Sequence, residues 1–178
     1  MKRYTRAVLL ILALCLLFCL PAAALSPQSA AEDLSEAAMF RGTDQGLELS
    51  RAPKRSEAAV MLVRLYGAEE EALALYESGD LIQPFEDGNN WAAPYLAWLY
   101  SRGLVKGMSE TQYGVNLPCK AGDYALFLLR ALGYQDGVDF DWTETAAFAE
   151  AHGFYPDGLF SGTFTRGDLA LMTWFALQ

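Results

Sequence analysis

Acidic side chains are the most numerous candidates for catalysis in this sequence, because two carboxylates are enough to hydrolyse a glycosidic bond. The chain has 22 Asp and Glu residues among 178, yet no recognisable motif brings two of them together. The sequence also has no zinc-ligand spacing, phosphate-binding glycine loop or nucleophile elbow. Its one histidine, His152, precedes Gly153 at a predicted helix end, where capping is the expected role. We therefore predict a protein that is not an enzyme and has no catalytic residue, bound metal or cofactor.

Arginines stand at the first turn of two predicted helices. Arg55 lies in Lys54-Arg55-Ser56-Glu57, and Arg166 lies in Thr165-Arg166-Gly167-Asp168. A guanidinium presents a rigid fork of donors that fits a carboxylate, so either arginine can hold an anionic ligand. Each can instead pair with a neighbouring acid of the chain, and the sequence leaves both alternatives open. The acids at the third position of each motif, Glu57 and Asp168, are expected to cap their helices.

Apolar periodicity punctuated by glycine predicts an all-α fold. Ser29 and Glu32 have capping-box spacing and predict a helix start. Short extended segments are expected only near 47–49 and 112–117. The predicted helices cover approximately residues 29–39, 54–66, 69–77, 91–102, 120–132, 141–152 and 165–178.

The N-terminus has the pattern of a secretory signal peptide. Three basic residues precede an unbroken apolar run of 14 residues, 7–20, and small residues follow up to Ala24. A membrane-spanning helix needs about 20 apolar residues. We therefore predict a signal peptide over residues 1–24 and a mature domain over 25–178, with no stable membrane anchor after cleavage.

Cleavage would leave a strongly acidic protein. The 13 basic residues fall to 10 against 22 acidic ones, and the net charge falls from −9 to −12. Such a surface repels nucleic acid and anionic lipid at long range, so we expect no nucleic-acid partner. An anionic ligand would need a local basic group. Only Cys119 would remain of the three cysteines, which excludes an intramolecular disulfide in the mature chain.

The helical pattern repeats three times. Each unit has a helix, a glycine turn, a loop and a second helix that begins at a short polar motif. The turns are 40–42, 104–107 and, less regularly, 154–158. The motifs are 54–57, 120–123 and 165–168, which we call openers. The predicted repeats cover approximately residues 29–67, 85–133 and 140–178, with an acidic connector over 68–84.

The second repeat resembles the S-layer homology domain, a family usually present as three tandem repeats at one end of bacterial surface proteins. The runs 85–87, 91–95 and 103–107 are similar to the family's Phe-x-Asp, tryptophan helix and glycine turn. The segments 55–57 and 166–168 are similar to its Thr-Arg-Ala-Glu motif. The resemblance covers roughly residues 30–178.

The resemblance implies three tandem helix-loop-helix repeats in a pseudo-threefold bundle, with the first helix of each repeat at the centre and ligand grooves between repeats. It implies non-covalent binding of a cell-wall polysaccharide, the secondary cell-wall polymer associated with peptidoglycan and often bearing pyruvate ketals. Arg55 and Arg166 would then clamp an anionic group, and Trp91 and Asp87 would contact ligand in a groove. The protein would be secreted and lie in the cell wall or on the cell surface of a Gram-positive-type bacterium.

The sequence departs from the family pattern in each repeat. The first repeat lacks the Phe-x-Asp and tryptophan opening, Ala121 stands at the arginine position of the second, and the third has a shortened loop with 140–142 only loosely replacing the opening. A fold can persist after its sites decay. The alternative function is a scaffold for protein–protein interaction with other envelope proteins. Binding by such a scaffold would tolerate loss of Arg55 and Arg166 and depend on exposed apolar surface.

Overall fold

The computed structural model describes residues 25–154 and 162–178, and within them the chain is all-α, as predicted. The predicted signal peptide and residues 155–158 of the third predicted turn lie outside the described part. Two 3-10 turns, Glu86–Gly88 and Trp142–Glu144, precede α4 and α6. The helices are α1 Pro27–Glu36, α2 Arg55–Leu65, α3 Glu69–Glu77, α4 Ala93–Ser101, α5 Ala121–Ala131, α6 Thr145–Ala151 and α7 Arg166–Ala176.

Polar side chains set two of the helix starts. The capping box predicted at Thr165 and Asp168 is confirmed at the start of α7. The one predicted at Ser29 was wrong by three residues, because Ser26 is the N-cap of α1 and its hydroxyl accepts from the Ser29 amide at 3.1 Å. Pro27 occupies the first helical position, where its missing N–H costs no hydrogen bond. The helix therefore begins earlier than the serine-glutamate spacing indicates.

Three helices of equal length begin at the predicted opener motifs. We call α2, α5 and α7 the opener helices, and each has 11 residues. Contacts join α2 to α5 and α5 to α7, and side chains such as Leu62, Leu129 and Met172 are almost wholly buried. Burial of each such side chain contributes about 1.5–3 kcal/mol. The hydrophobic core is thus centred on the opener helices.

The other helices pack around the opener helices. Among the described residues, α1 contacts α7, α4 contacts α2 and α3, and α6 contacts α5. The expectation that the first helix of each repeat lies at the centre was therefore wrong. The first helix of one repeat packs on the opener helix of another. The pseudo-threefold arrangement itself stays a prediction.

Two loop segments hold the first turns of two opener helices. The free amides at a helix start need acceptors from outside the helix. Loop 113–117 supplies them to α2, and loop 47–51 supplies them to α7. The hydrogen bonds run from Arg55 N to Leu117 O at 2.9 Å, from Ser56 N to Val115 O at 3.2 Å, from Arg166 N to Arg51 O at 2.9 Å and from Gly167 N to Leu49 O at 2.9 Å.

Within residues 25–154 and 162–178, none of the helices combines the length and the apolar character needed to cross a bilayer.

Candidate functional site

Arg55 is buried and joins α2 to the second predicted repeat. Its Nε donates to the carbonyl of Tyr113 at 2.9 Å, and its Nη1 pairs with Asp123 Oδ2 at 3.1 Å. The guanidinium carbon lies 4.8 Å from the Tyr113 ring centroid, a cation–π distance. Nη2 has no hydrogen-bond partner within the described residues. One edge of this guanidinium therefore remains available to a ligand.

Arg166 makes the matching contacts between α7 and the first predicted repeat. Its Nε donates to the Leu47 carbonyl at 3.0 Å, and its Nη1 pairs with Glu57 Oε1 at 3.1 Å. Its Nη2 is also engaged, because it donates to the Arg41 carbonyl at 2.9 Å. Burial lowers the pKa of Arg166, yet an ordinary guanidinium pKa is so high that the group stays charged. All three nitrogens of Arg166 thus hold the chain itself.

A carboxylate bridges two cations near Arg55. Asp136 Oδ1 accepts from Arg130 Nε at 2.9 Å, and its Oδ2 accepts from Lys106 Nζ at 3.3 Å. The hydrogen bonds from Arg130, with the positive charges of both partners, lower the pKa of Asp136 to about 2. The side chain of Lys106 is 69% exposed whereas that of Arg130 is 8% exposed. The lysine therefore presents a cation at the surface, and the arginine supports the carboxylate from inside.

The same bridge occurs near Arg166. Glu69 Oε1 accepts from Arg64 Nε at 3.1 Å, and Oε2 accepts from Arg41 Nη2 at 2.7 Å. The Tyr95 hydroxyl also donates to Oε1 at 2.9 Å. Burial opposes ionisation of Glu69, but the hydrogen bonds from Arg64 and Tyr95 outweigh it, so its pKa is lowered. Arg41, with a side chain 53% exposed, takes the surface position that Lys106 has near Arg55.

Each of these groups lines a surface cleft with an exposed tryptophan. The first cleft, of about 350 Å³, includes Arg41, Glu57, Arg64, Trp91 and Arg166. The second cleft, of about 680 Å³, includes Arg55, Lys106, Lys120, Asp123, Arg130, Asp136 and Trp142. Basic side chains outnumber acidic ones by three to one in the first cleft and by four to two in the second. Both clefts are thus locally positive on an acidic chain.

The two exposed tryptophans give each cleft a flat apolar face. Trp91 is 61% exposed and Trp142 is 65% exposed. An indole can pack against the apolar face of a sugar ring, and its exposure to water costs hydrophobic free energy unless something covers it. Neither tryptophan contributes to the buried core.

Asp87 lies away from both clefts and organises a loop. Its carboxylate accepts from the backbone amides of Tyr113, Gly114 and Val115 at 2.8, 2.7 and 3.1 Å. Burial opposes ionisation of Asp87, but these three hydrogen bonds outweigh it and lower its pKa. The same loop supplies the Tyr113 carbonyl to Arg55. Asp87 therefore positions the backbone that holds Arg55.

The remaining pair of opener helices, α5 and α7, lacks the arginine at the first position of α5 and the arginine at the tenth position of α7. Ala121 begins α5, where Arg55 begins α2 and Arg166 begins α7. Phe175 occupies the tenth position of α7, where the other opener helices have Arg64 and Arg130. Asp168 is engaged in the capping box, because its Oδ2 accepts from the Thr165 amide at 2.9 Å. In the described part of this interface no guanidinium occupies the position that Arg55 and Arg166 have in the others.

The predicted site residues fall into two groups. Arg55 lines the second cleft, and Arg166 and Trp91 line the first, whereas Asp87 lines neither. The contact of these four residues with a ligand stays a prediction. Sequence reasoning missed the bridged cations and Trp142 as cleft residues. Two sequence patterns mark these residues. Arg41 and Lys106 each precede a turn glycine, and Arg64 and Arg130 are each the tenth residue of an opener helix. The missed cleft residues are Arg41, Arg64, Lys106, Arg130, Asp136 and Trp142, and Glu69 is the missed partner of Arg41 and Arg64.

Residues 84–125 match the family model of the S-layer homology domain. The match runs from the residue before Phe85 into α5 and includes Asp87, Trp91 and Lys106. The resemblance predicted from the motifs is therefore confirmed over these residues. Domains of this family are in general non-catalytic modules that bind cell-wall polymers and associate with the cell surface. A search of curated proteins found no match to the chain.

We expect Asp136→Asn to lower stability in a pH-dependent way. The pKa of Asp136 is about 2 in the folded protein, below the value of 3.8 that an aspartate has without partners. A depressed pKa stabilises the fold above the unfolded value, and this stabilisation is lost as pH falls through the folded value. Urea denaturation should therefore show wild type more stable than Asp136→Asn at pH 6, with the difference shrinking below pH 4 and disappearing only below pH 2. A difference independent of pH would contradict the ion-pair assignment.

Proposed function

We propose that the chain binds an acidic cell-wall polysaccharide non-covalently in these two clefts. The observation that carries the proposal is the combination of a locally positive cleft and an exposed indole, found twice on a chain of net charge −9. A negatively charged protein repels an anionic polymer at long range, so binding has to rely on local cations. The family match supports a cell-wall polymer as the ligand class.

In the second cleft, the free edge of Arg55, with Lys106 and Lys120, would receive the acidic group. Lys106 is exposed, so it can turn from Asp136 to a ligand without disturbing the core. Asp136 would keep its ion pair with Arg130 when Lys106 turns to a ligand. The adjoining sugar would pack on the Trp142 ring. This arrangement separates charge recognition from ring recognition.

In the first cleft, Arg41 would receive the acidic group and Trp91 the sugar ring. Arg166 would serve as a positioning residue, because its three nitrogens already hold Glu57 and two carbonyls. Of the two arginines predicted as clamps, Arg55 is thus better placed for ligand contact. Asp87 would act through Arg55 by holding loop 113–115.

Export of the chain belongs to the same proposal. The N-terminal pattern would direct secretion and be removed after Ala24, leaving the clefts outside the cell where the polymer is found. A thick Gram-positive-type wall offers such polymers at high density. Other envelope proteins are further partners under this proposal.

Interaction with a protein is the second candidate function. The last turns of the three opener helices leave an apolar patch on the surface, formed by Tyr66, Leu132 and Leu177, which are 42%, 42% and 46% exposed. Exposed apolar patches mark interaction sites when they are contiguous. Leu65, Ala131 and Ala176 line the same shallow depression. Binding through this patch would not depend on the clefts.

We expect residues 25–178, which contain every described helix, to sediment with purified Gram-positive sacculi and not with sacculi stripped of secondary polymer. Lys106→Ala with Trp142→Ala should weaken this binding about 10-fold or more, because one surface cation and one ring contact are lost. Both side chains are exposed, so the fold should survive. The measurement is a depletion assay with increasing amounts of sacculi.

Matched controls distinguish the two candidate functions. Lys54→Ala with Ile82→Ala removes an exposed cation and an exposed apolar side chain outside both clefts, and binding should be unchanged. Tyr66→Ser with Leu177→Ser alters only the apolar patch. Loss of wall binding in that variant, with retention in the cleft variant, would favour the protein-interaction function. Absence of wall binding by wild type would refute the polysaccharide proposal.

A further inference from the structure

We propose that Met108 is a site of reversible oxidation, where a peroxide converts the thioether to a sulfoxide and thereby loosens the loop that holds Arg55. Met108 directly follows the turn glycine Gly107, and 63% of it is exposed. Its sulfur lies against loop 113–117. The modification is independent of ligand binding, and only its effect on wall binding rests on the proposed function.

The methionines of the described part of the chain differ widely in exposure. Met61 is 3% exposed and Met172 is 0% exposed. Met39 is partly buried against the core, whereas Met108 is 63% exposed. An oxidant has to reach the sulfur, so oxidation follows exposure. Among these four methionines, Met108 is therefore the one that a peroxide reaches first.

The thiol of Cys119 does not compete for the oxidant. Cysteine reacts as the thiolate. Cys119 is only 2% exposed, and burial raises the pKa of its thiol to about 12. At neutral pH this sulfur is both protonated and covered. Oxidation of sulfur in the described part of the chain therefore falls on the exposed thioether.

The sulfur of Met108 packs on the loop that orients Arg55. At Gly114, whose φ is +81°, an added β-carbon would lie 2.7 Å from Met108 Sδ, 3.1 Å from Leu117 Cδ1 and 3.5 Å from Arg55 Cδ. The thioether, the leucine and the aliphatic part of the arginine therefore meet over Gly114. The missing side chain of this glycine leaves the space that the sulfur occupies.

Backbone hydrogen bonds hold Met108 in place over this loop. Its amide donates to the Gln112 carbonyl at 2.7 Å, and the Ser109 amide donates to the same carbonyl at 3.2 Å. At Gly107 an added β-carbon would lie 2.3 Å from the Ser109 carbonyl oxygen, so the turn is tightly closed. Because the backbone of Met108 is held, a change at its sulfur has to be accommodated by the side chain or by loop 113–117.

The reaction needs only hydrogen peroxide as oxidant. A lone pair of Sδ attacks one peroxide oxygen, an S–O bond forms and the O–O bond breaks. The departing hydroxide takes the proton from the transferred oxygen and leaves as water. Sulfur loses two electrons and the peroxide gains them. Thiol-dependent reductases convert methionine sulfoxide back to methionine, so the modification is reversible.

The product no longer suits its position. A sulfoxide is polar, whereas the thioether is apolar and flexible. Its oxygen cannot be buried against Leu117 without a hydrogen-bond donor, so the oxidised side chain has to leave Gly114. Loop 113–117 then loses a packing contact beside the Tyr113 and Leu117 carbonyls, which accept from Arg55. Oxidation is thereby transmitted to the guanidinium and to the first turn of α2.

The test treats residues 25–178 with hydrogen peroxide and follows each methionine by peptide mass spectrometry. Met108 should gain one oxygen about 10-fold faster or more than Met61 and Met172, because their sulfurs are buried. Hydrogen exchange at the amides of Gly114 and Val115 should then accelerate about 3-fold or more. Methionine sulfoxide reductase with a thiol reductant should restore the original exchange rates.

Variants assign the effect to one sulfur. Met108→Leu conserves volume and should fold normally, and peroxide should leave its amide exchange unchanged. Met39→Leu should respond to peroxide as wild type does. Met108→Gln places a polar side chain over Gly114 and should accelerate exchange without peroxide. Acceleration by peroxide in Met108→Leu would overturn the proposal.

Binding to sacculi provides the last measurement. Oxidised wild type should bind about 3-fold more weakly or worse, because Met108 lines the second cleft beside Arg55, and Met108→Leu should keep its binding after peroxide. Equal oxidation rates at Met61 and Met172, or unchanged amide exchange in a chain whose Met108 is fully oxidised, would overturn the proposal. No binding by untreated wild type would refute the proposed function alone, since amide exchange still reports on the loop.

Discussion

Arg166→Ala is expected to lower the free energy of unfolding by about 3–5 kcal/mol, the range measured when one partner of a buried ion pair is removed. Three acceptors lose their donor together: the Glu57 carboxylate and the carbonyls of Arg41 and Leu47. Glu57 keeps Arg51 as a partner at 2.6 Å, which places the expected value toward the lower end. Urea denaturation followed by circular dichroism at pH 7 measures the change.

Arg41→Ala is the matched control for this variant. Arg41 also pairs with an acid, Glu69, but its side chain is 53% exposed, and such surface pairs contribute at most about 1 kcal/mol. Its backbone carbonyl stays available to Arg166 after the substitution. Equal destabilisation by the two variants would show that Arg166 is a surface residue in solution, contrary to its burial between α7 and the first predicted repeat.

Asp87→Ala is expected to cost about 2–3 kcal/mol, because a charged acceptor shared by three backbone amides is removed. Loop 113–115 would lose its anchor and with it the carbonyl that orients Arg55. The variant should therefore also weaken binding to sacculi under conditions where it remains folded. Denaturation and the depletion assay, performed on the same preparation, measure both effects.

Glu86→Ala controls for the loss of an acid from the same 3-10 turn. Glu86 is exposed, and among the described residues its carboxylate accepts a hydrogen bond only from Gln112, at 3.3 Å. Exposed substitutions of this kind usually change stability by less than about 0.5 kcal/mol. If Asp87→Ala unfolds at the same urea concentration as Glu86→Ala, the three amide hydrogen bonds contribute nothing measurable, and the assignment of Asp87 as a positioning residue fails.

Local patterns in the sequence predicted the helices well. The acidic helix was expected over 69–77, and α3 covers the same residues. The opener helices differ from their predicted ranges by one or two residues at each end. Apolar periodicity, stop glycines and capping side chains all act within one or two turns, so a linear sequence contains them. The helix start predicted at Ser29 was wrong for an equally local reason, because Ser26, three residues earlier, is the N-cap.

The assembly of the site was not predictable from local patterns. The partner of Arg166 is 109 residues away in the chain, and that of Arg55 is 68 residues away. Many acids were available, so the sequence alone left the choice between ligand and intramolecular partner open. The three openers can be aligned in the sequence, but the acid that pairs with each arginine follows only once the packing order of the helices is known. Asp87 and Trp91 are close in sequence, but Trp91 lines the first cleft whereas Asp87 accepts hydrogen bonds from the amides of residues 113–115.

Because α4 packs on α2, the segment that recurs in the sequence is not a unit that can fold alone. The matched segment 84–125 contains α4 but neither α2, on which α4 lies, nor most of α5. Excised alone, it would expose the buried faces of Leu96 and Leu99 to water. We therefore expect cooperative unfolding to extend over all three opener helices. A substitution within one repeat would then change the stability of the whole domain.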